Sequence, residues 1–392
     1  MGKTSPPKKM KESQNTQVMK ILIVRTFPYE LNLNSYNCQE TGLAAALRKK
    51  GVVCDIVLHT NGKTRTEHRP DGITIYWIHS TNILKNGLFP GIYDLMEQYD
   101  VIQVHEYDQI QSWKIYTRHN QKHNVVLYHG PYLDPFNRGY NFKCRVFDRF
   151  FLPKSKEAKA TLPCITKSPL AADFLKSKGF KNVTSVGVGL NPAPFDAEPD
   201  MEKAGQMPDD VPNLVYIGVL EERRNTVFLL GLIEELLKTE RFHMTIVGKG
   251  EPSYLQTIEE RMHALGKQGI LTWYRSAAQP EVAGIYRKAD LLLFPTNYDI
   301  FGMVLLEAMY CGVPCVSSIN GGSATLIENG VDGVTLPDFD QASWIHAIKD
   351  LLHDPDKRTA MAEKASTKIR KHFTWDALSE KFLSVYQSLS RD

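Results

Sequence analysis

The stretch "DIFGMVLLEAMYCGVPCVSS" sets two acids, Asp299 and Glu307, eight positions apart, one in a loop and one inside a helix pattern. The helix reads from near Gly302 to Gly312, with Pro314 soon after as a stop signal. Val304, Leu305, Leu306, Ala308 and Met309 surround Glu307, so the helix is apolar nearly all round, the mark of a buried element. A carboxylate is almost never buried without a partner. Two chemistries meet that demand: an ion pair with a neighbouring Arg or Lys, or a cavity in which a polar ligand binds. The backbone N–H groups of Phe301, Gly302, Met303 and Val304 stand at the helix start, where they lack intrahelical partners and can bind an anion.

The elements that must hold these residues follow a regular alternation. Apolar strand patterns at 20–24, 54–58, 73–78, 101–104 and 125–128 are separated by helical ones such as 39–51. After "NPAPFDAEPDMEKAGQMPDDVP" the alternation restarts, with strands expected near 214–220, 243–248, 270–274, 290–295, 314–318 and 333–336. Strands buried on both faces with helices between them make parallel α/β sheets. The expected fold is therefore α/β, two Rossmann-like domains facing across a cleft. The expected boundaries are a polar extension at 1–18, a first domain at 19–190, a linker at 191–212, a second domain at 213–373 and a C-terminal amphipathic helix at 374–392. In such sheets ligands bind beyond the carboxyl ends of the strands. That rule marks His129 after strand 125–128, Arg223 and Arg224 after strand 214–220, Gly248 and Gly250 after strand 243–248, and Arg275 after strand 270–274.

Composition narrows the function classes. A chain of 392 residues with net charge +3 is too weakly basic to argue for nucleic acid. Six scattered cysteines fit neither a metal cluster nor a disulfide framework, and they point to a reducing, cytoplasmic compartment. No apolar run approaches the length that spans a bilayer.

Several segments together resemble a known family. "TNYDIFGMVLLEAMYCGVPCVSS" followed by "NGG" is similar to the donor-binding signature of the retaining glycosyltransferase family 4, whose members have the GT-B fold. "LVYIGVLEERRN", "MTIVGKGE", "IYRKADLLLFPT", "VVLYHGPY" and "VTSVGVGLNPAPF" match further family segments in order, so the resemblance covers about residues 19–390. It implies transfer of a sugar from a nucleotide diphosphate donor, UDP-linked first, to an acceptor hydroxyl with retention. Glu307 would bind the ribose hydroxyls, Asp299 the donor-sugar hydroxyls, and His129 would lie near the donor sugar. Arg224, with Arg223 beside it, would neutralise the leaving diphosphate. Phe301 to Val304, Gly248, Gly250 and Arg275 would line the nucleotide. In the first loop, Asn34, Ser35 and Asn37 would meet acceptor or phosphate.

The chain departs from that pattern at four places: Asp299 is one methylene shorter than the usual Glu, Val219 stands where the family has Arg, Thr325 where it has an acid, and the first loop "PYELNLNSYNCQE" lacks the paired glycines of many relatives. The alternatives are a GT-B sugar-nucleotide epimerase or a non-catalytic sugar-nucleotide binding protein.

Asp338 and Asp340 form an Asp-x-Asp arrangement, but Asp340 precedes the helix pattern "QASWIHAIKDLL" and reads as its N-cap. No metal or other cofactor is expected. The acceptor expected is a glycan, a lipid-linked molecule or a small molecule. Segment 137–159 mixes basic residues with Phe142, Phe147, Phe150, Phe151 and Leu152; it reads either as a helix covering the first core or as a contact with the inner face of a membrane.

Overall fold

The structure, a computed structural model, describes residues 18–33, 35, 37–83, 86–118 and 124–389. The extension expected at 1–18 lies outside the described residues, apart from the exposed Val18.

Two sheets carry the chain. The first has eight strands in the order Val183–Ser185, Cys164–Thr166, Asn124–His129, Val101–His105, Lys20–Val24, Val53–His59, Thr74–Ile78, Arg65–His68. All neighbours are parallel except the last pair, which is antiparallel. Its central strands are continuous apolar runs: Ile21, Leu22, Ile23 and Val24 are all fully buried, as a parallel sheet covered on both faces requires. The second sheet has six parallel strands in the order Leu271–Tyr274, His243–Val247, Asn213–Ile217, Leu291–Phe294, Cys315–Ser318, Val334–Leu336.

Strand Arg65–His68 and the short strands Cys164–Thr166 and Val183–Ser185 are additions to the sequence reading. The first is an exposed edge without an apolar run, and the other two are three residues each. Residues 191–212, expected as a linker by composition, are packed: Phe195, Ala204 and Met207 are buried, and Asp196 accepts hydrogen bonds from the Tyr310 hydroxyl at 2.7 and 2.8 Å.

The C-terminal helix, Trp375–Leu389, crosses back to the first domain. Lys49 pairs with Asp376 at 2.9 Å, and the Tyr386 hydroxyl donates to Gln103 at 2.6 Å. At the crossing, Leu190 N donates to the Phe373 carbonyl and Trp375 N to the Leu190 carbonyl, at 2.8 and 3.1 Å. The Trp375 indole lies against Gly42 and Gly189, where an added Cβ would stand 2.3 and 2.4 Å from ring atoms, so both positions must lack a side chain.

Candidate functional site

The acidic helix spans Met303–Tyr310, in the connection after strand Leu291–Phe294, and Gly302 caps it in a left-handed conformation that glycine adopts without strain. Glu307 is 6% exposed. Burial pushes its carboxyl up to about 8, and the Tyr286 hydroxyl, 3.4 Å from Oε2, is a polar neighbour. Tyr286 sits on helix Gln279–Lys288 and its hydroxyl also reaches the Val304 carbonyl at 3.3 Å.

Asp299 is held three ways. One carboxylate oxygen accepts from the N–H groups of Phe301 and Gly302 at 3.0 and 2.7 Å, and the other takes a short ion pair from Arg224. Its carbonyl accepts from the Tyr132 hydroxyl at 2.9 Å and from Gly321 N at 3.1 Å. This corrects the expected anion site at the helix start. Two of the four donors there, those of Phe301 and Gly302, already serve an anion from the chain itself, because a short acid two residues upstream curls back onto them. Met303 and Val304 are half-buried, and Phe301 is buried against Gly187.

The Arg224 guanidinium lies over the Phe294 ring at 5.6 Å. Arg223 donates to the Tyr298 carbonyl at 2.8 Å and pairs with Glu221 at 2.7 Å. Both arginines thus brace the acidic loop against the end of strand Asn213–Ile217, and Val219 beside them is exposed. Gly248 and Gly250 have a packing reason. A Cβ would stand 1.9 Å from the Gly218 carbonyl oxygen in one case and 2.2 Å from that of Leu220 in the other. The backbone that comes close is the chain's own. Gly321 and Gly322 likewise make room for the carbonyls of residues 299–301. Thr325 donates to the Gly321 carbonyl at 2.7 Å. Arg275 is engaged on the surface, paired with Glu259 at 2.8 Å and stacked over Trp273 at 4.3 Å.

Across the cleft, His129 ends strand Asn124–His129 and is fully buried. Its Nδ1 lies 2.5 Å from Glu106 Oε2, while its Nε2 finds no hydrogen-bond partner among the described residues. Glu106 follows the neighbouring strand at φ 61°, a conformation that costs a non-glycine residue about 1 kcal/mol or more. Burial raises its carboxyl, but His129, Lys167 and His105 outweigh burial and hold it at about 2. Beside it, Arg25 pairs with Glu40 at 3.1 Å, and His105 lies 3.7 Å from the same carboxylate. Burial pushes the His105 imidazole down to about 4.

Arg25, Glu106, His129 and Lys167 each stand at the carboxyl end of a first-sheet strand. The sequence reading picked out only His129 of these. "VIQVHEYD" carries the same signal for Glu106, an acid directly after an apolar run.

Tyr132, also missed, joins the two halves. Its hydroxyl accepts from Gly321 N at 3.0 Å while donating to Asp299, and its ring lies 4.7 Å from that of Tyr298.

The first-loop residues part company. Asn37 is a tie between elements: it donates to the Gly189 carbonyl and accepts from Asn191 N and the Trp375 indole, at 3.0, 3.1 and 2.9 Å. That occupation corrects its expected role toward acceptor or phosphate. Ser35 belongs to a turn, its N–H donating to the Asn32 carbonyl at 3.2 Å. Asn34 lies outside the described residues. Asp340 caps helix Gln341–His353, accepting from Ser343 N at 2.9 Å. Among the described residues one acidic trio, Asp200, Glu202 and Glu281, could gather round a cation, and its Glu281 is ion-paired with Lys203.

Comparison with known proteins fits this geometry. Residues 198–368 match the family model of the glycosyl transferases group 1. A D-inositol 3-phosphate glycosyltransferase of Kineococcus radiotolerans is 29% identical over 202 residues, which is 47% of this chain and 46% of that protein. The chain spans about half the length of the curated relatives it matches. Among solved structures, the sucrose-phosphate synthase of Thermosynechococcus elongatus superposes with a TM-score of 0.70 at 18% identity, over 95% of this chain and 99% of that one. HepE of Anabaena in complex with UDP gives 0.68 at 16% identity, over 94% of this chain and 100% of the other. Residues 198–368 are thus similar to the glycosyl transferases group 1, and the whole chain shares the GT-B fold of these solved structures.

Proposed function

We propose that the protein transfers a sugar from a nucleoside diphosphate sugar, UDP-linked first, to an acceptor hydroxyl with retention of anomeric configuration and without a divalent ion. The observation that carries the reading is the pair Asp299 and Glu307. They occupy the loop and helix after strand Leu291–Phe294, and Tyr132 joins that loop to the first domain close to the His129 centre. HepE of Anabaena was solved with UDP-glucose, which supports UDP-glucose as the first donor to try.

In this reading Glu307 accepts from the ribose hydroxyls. That hydrogen bonding favours the ionised form, which burial alone opposes. His129 is fixed in orientation by Glu106 through Nδ1 and offers Nε2 to a donor-sugar hydroxyl. Arg224 parts from Asp299 to stabilise charge on the leaving diphosphate, and the freed Asp299 meets the sugar. Retention follows from front-face attack, in which the phosphate oxygen takes the acceptor proton as the glycosidic bond breaks. The residues supply position and charge, and no protein nucleophile is used. The six cysteines, all free, support a reducing cytoplasmic compartment, and synthesis of a cell-surface polysaccharide or glycoconjugate is the proposed setting.

A melting-temperature screen of UDP, GDP, ADP and their sugars, followed by NMR of the product anomer, tests this. A rise with a nucleotide diphosphate and a retained anomer is expected. An inverted anomer overturns retention, an epimerised donor without transfer identifies an epimerase, and no response to any nucleotide overturns the donor site. Arg224→Ala is expected to lower kcat about a hundredfold with a smaller change in KM, because diphosphate charge grows in the transition state. Unchanged kcat removes Arg224 from the chemistry.

A further inference from the structure

We propose that the exposed face of helix Arg138–Phe150 docks on an anionic lipid bilayer and holds the mouth of the cleft at the membrane surface. The proposal deepens the transferase reading by locating its acceptor, and the docking itself does not depend on that reading. The helix divides its residues sharply. Cys144 and Phe147 are buried, with the Phe147 ring edge-on to Tyr107 at 5.3 Å. On the opposite side Phe142 is 66% exposed, Val146 42% and Phe150 62%, one row at a spacing of four. Leu133 and Phe136, in the loop before the helix, extend the exposed apolar surface.

Charge selects the occupant. Arg138, Arg145 and Arg149 are exposed along the same helix, and Lys154 and Lys156 follow it. Against these five cations the segment exposes one acid, Glu157. Asp148 is neutralised by Lys178 at 2.6 Å and Lys143 by Asp108 at 2.8 Å, so neither alters the balance. Aromatic residues and arginine also occur at protein interfaces, so it is the single sign of the charge, five cations to one acid, that selects an anionic surface. A narrow aromatic row flanked by arginines suits the headgroup boundary of an anionic membrane, where rings enter the acyl edge and guanidinium groups meet phosphates.

The face also leads into the cleft. Phe136, Asn137, Arg138 and Gly139 form one wall of a cavity of about 800 Å³ whose other wall includes Glu221, Arg223 and Tyr254. Arg223 is the residue that braces Tyr298 beside Asp299. A lipid-linked acceptor held at the bilayer would thus stand at the entrance to the proposed transfer site.

Co-sedimentation of the full chain with phosphatidylcholine vesicles, with or without phosphatidylglycerol and with no nucleotide present, tests the docking. The expected result is sedimentation only with the anionic vesicles, lost at high salt. Phe142→Ser with Phe150→Ser, and separately Arg145→Glu with Arg149→Glu, should each lower the bound fraction about tenfold without moving the melting temperature. Equal binding to neutral vesicles, no binding to either, or double variants that bind like wild type would overturn the proposal. So would ultracentrifugation showing a dimer that the Phe142 and Phe150 substitutions dissolve, which would make a second copy the occupant. A missing UDP response with intact vesicle binding sinks the donor reading and leaves the docking standing.

Discussion

Two glutamates in this molecule share burial and little else. Glu307, inside an apolar helix of the second domain, has its carboxyl pushed up to about 8. Glu106, at a strand end of the first domain, is held at about 2 by His129, Lys167 and His105 although burial opposes it. Burial raises the cost of charge at both sites, and the neighbours decide which carboxyl keeps its proton. The second domain therefore holds an acid whose charge burial opposes. The first holds a fixed anion that keeps an imidazole in place.

The largest break in this comparison is Glu106→Ala. It takes from His129 Nδ1 its buried carboxylate partner and leaves a cavity in its place, so a loss of about 3 kcal/mol is expected from denaturant unfolding. A loss under about 1 kcal/mol would mean that the pair is not fixed. Glu307→Gln should behave differently, with stability at pH 4 changed by less than about 1 kcal/mol because the wild-type side chain is neutral there both folded and unfolded. UDP affinity near pH 8.5 should fall by about 1.5–3 kcal/mol, the worth of hydrogen bonds to a charged group. Calorimetric titration that finds equal affinities would break Glu307 from the nucleotide.

The same variant sharpens the contrast through pH. In the unfolded chain the Glu307 carboxyl ionises near 4.5, while in the folded protein it stays protonated until about 8. Stability relative to Glu307→Gln should thus be greatest below pH 4.5, decline as pH rises toward 8, and level off beyond. A flat difference across that window would show that the carboxyl titrates normally. Smallest is Asp340→Ala. This exposed cap should cost about 2 °C in melting temperature and no activity, and EDTA should likewise leave turnover intact. Restoration of EDTA-abolished activity by manganese or magnesium would overturn the metal-free reading.

The sheets were legible because their central strands are unbroken apolar runs, which sequence displays directly. Strand Arg65–His68 was not, since an edge strand facing water needs no apolar pattern. Proline and acids at 191–212 read as a linker, and the structure adds that Phe195 and Met207 are buried there in a cluster continuous with both domains, which composition does not display. At the site, Glu307 was visible as an acid inside an apolar helix, and Asp299 through the family resemblance. The capture of Phe301 and Gly302 donors by Asp299 was not, because it depends on a loop turning back on itself. Glu106 and His129 lie 23 positions apart in sequence, and only the pairing of their strands sets them 2.5 Å from one another.

The double crossing at Leu190 and Thr374 has a mechanical consequence. Two chain segments bridged side by side resist sliding, since shear would break both backbone hydrogen bonds and drive the Trp375 indole into Gly42 or Gly189. Bending about that line breaks neither. Opening and closing of the cleft should then be a rotation about a pivot near Leu190, with the indole as its bearing. A side chain at Gly189, as in Gly189→Ala, would displace that bearing and reset the resting angle between the halves, a change that fluorescence energy transfer between labels on the two domains would read.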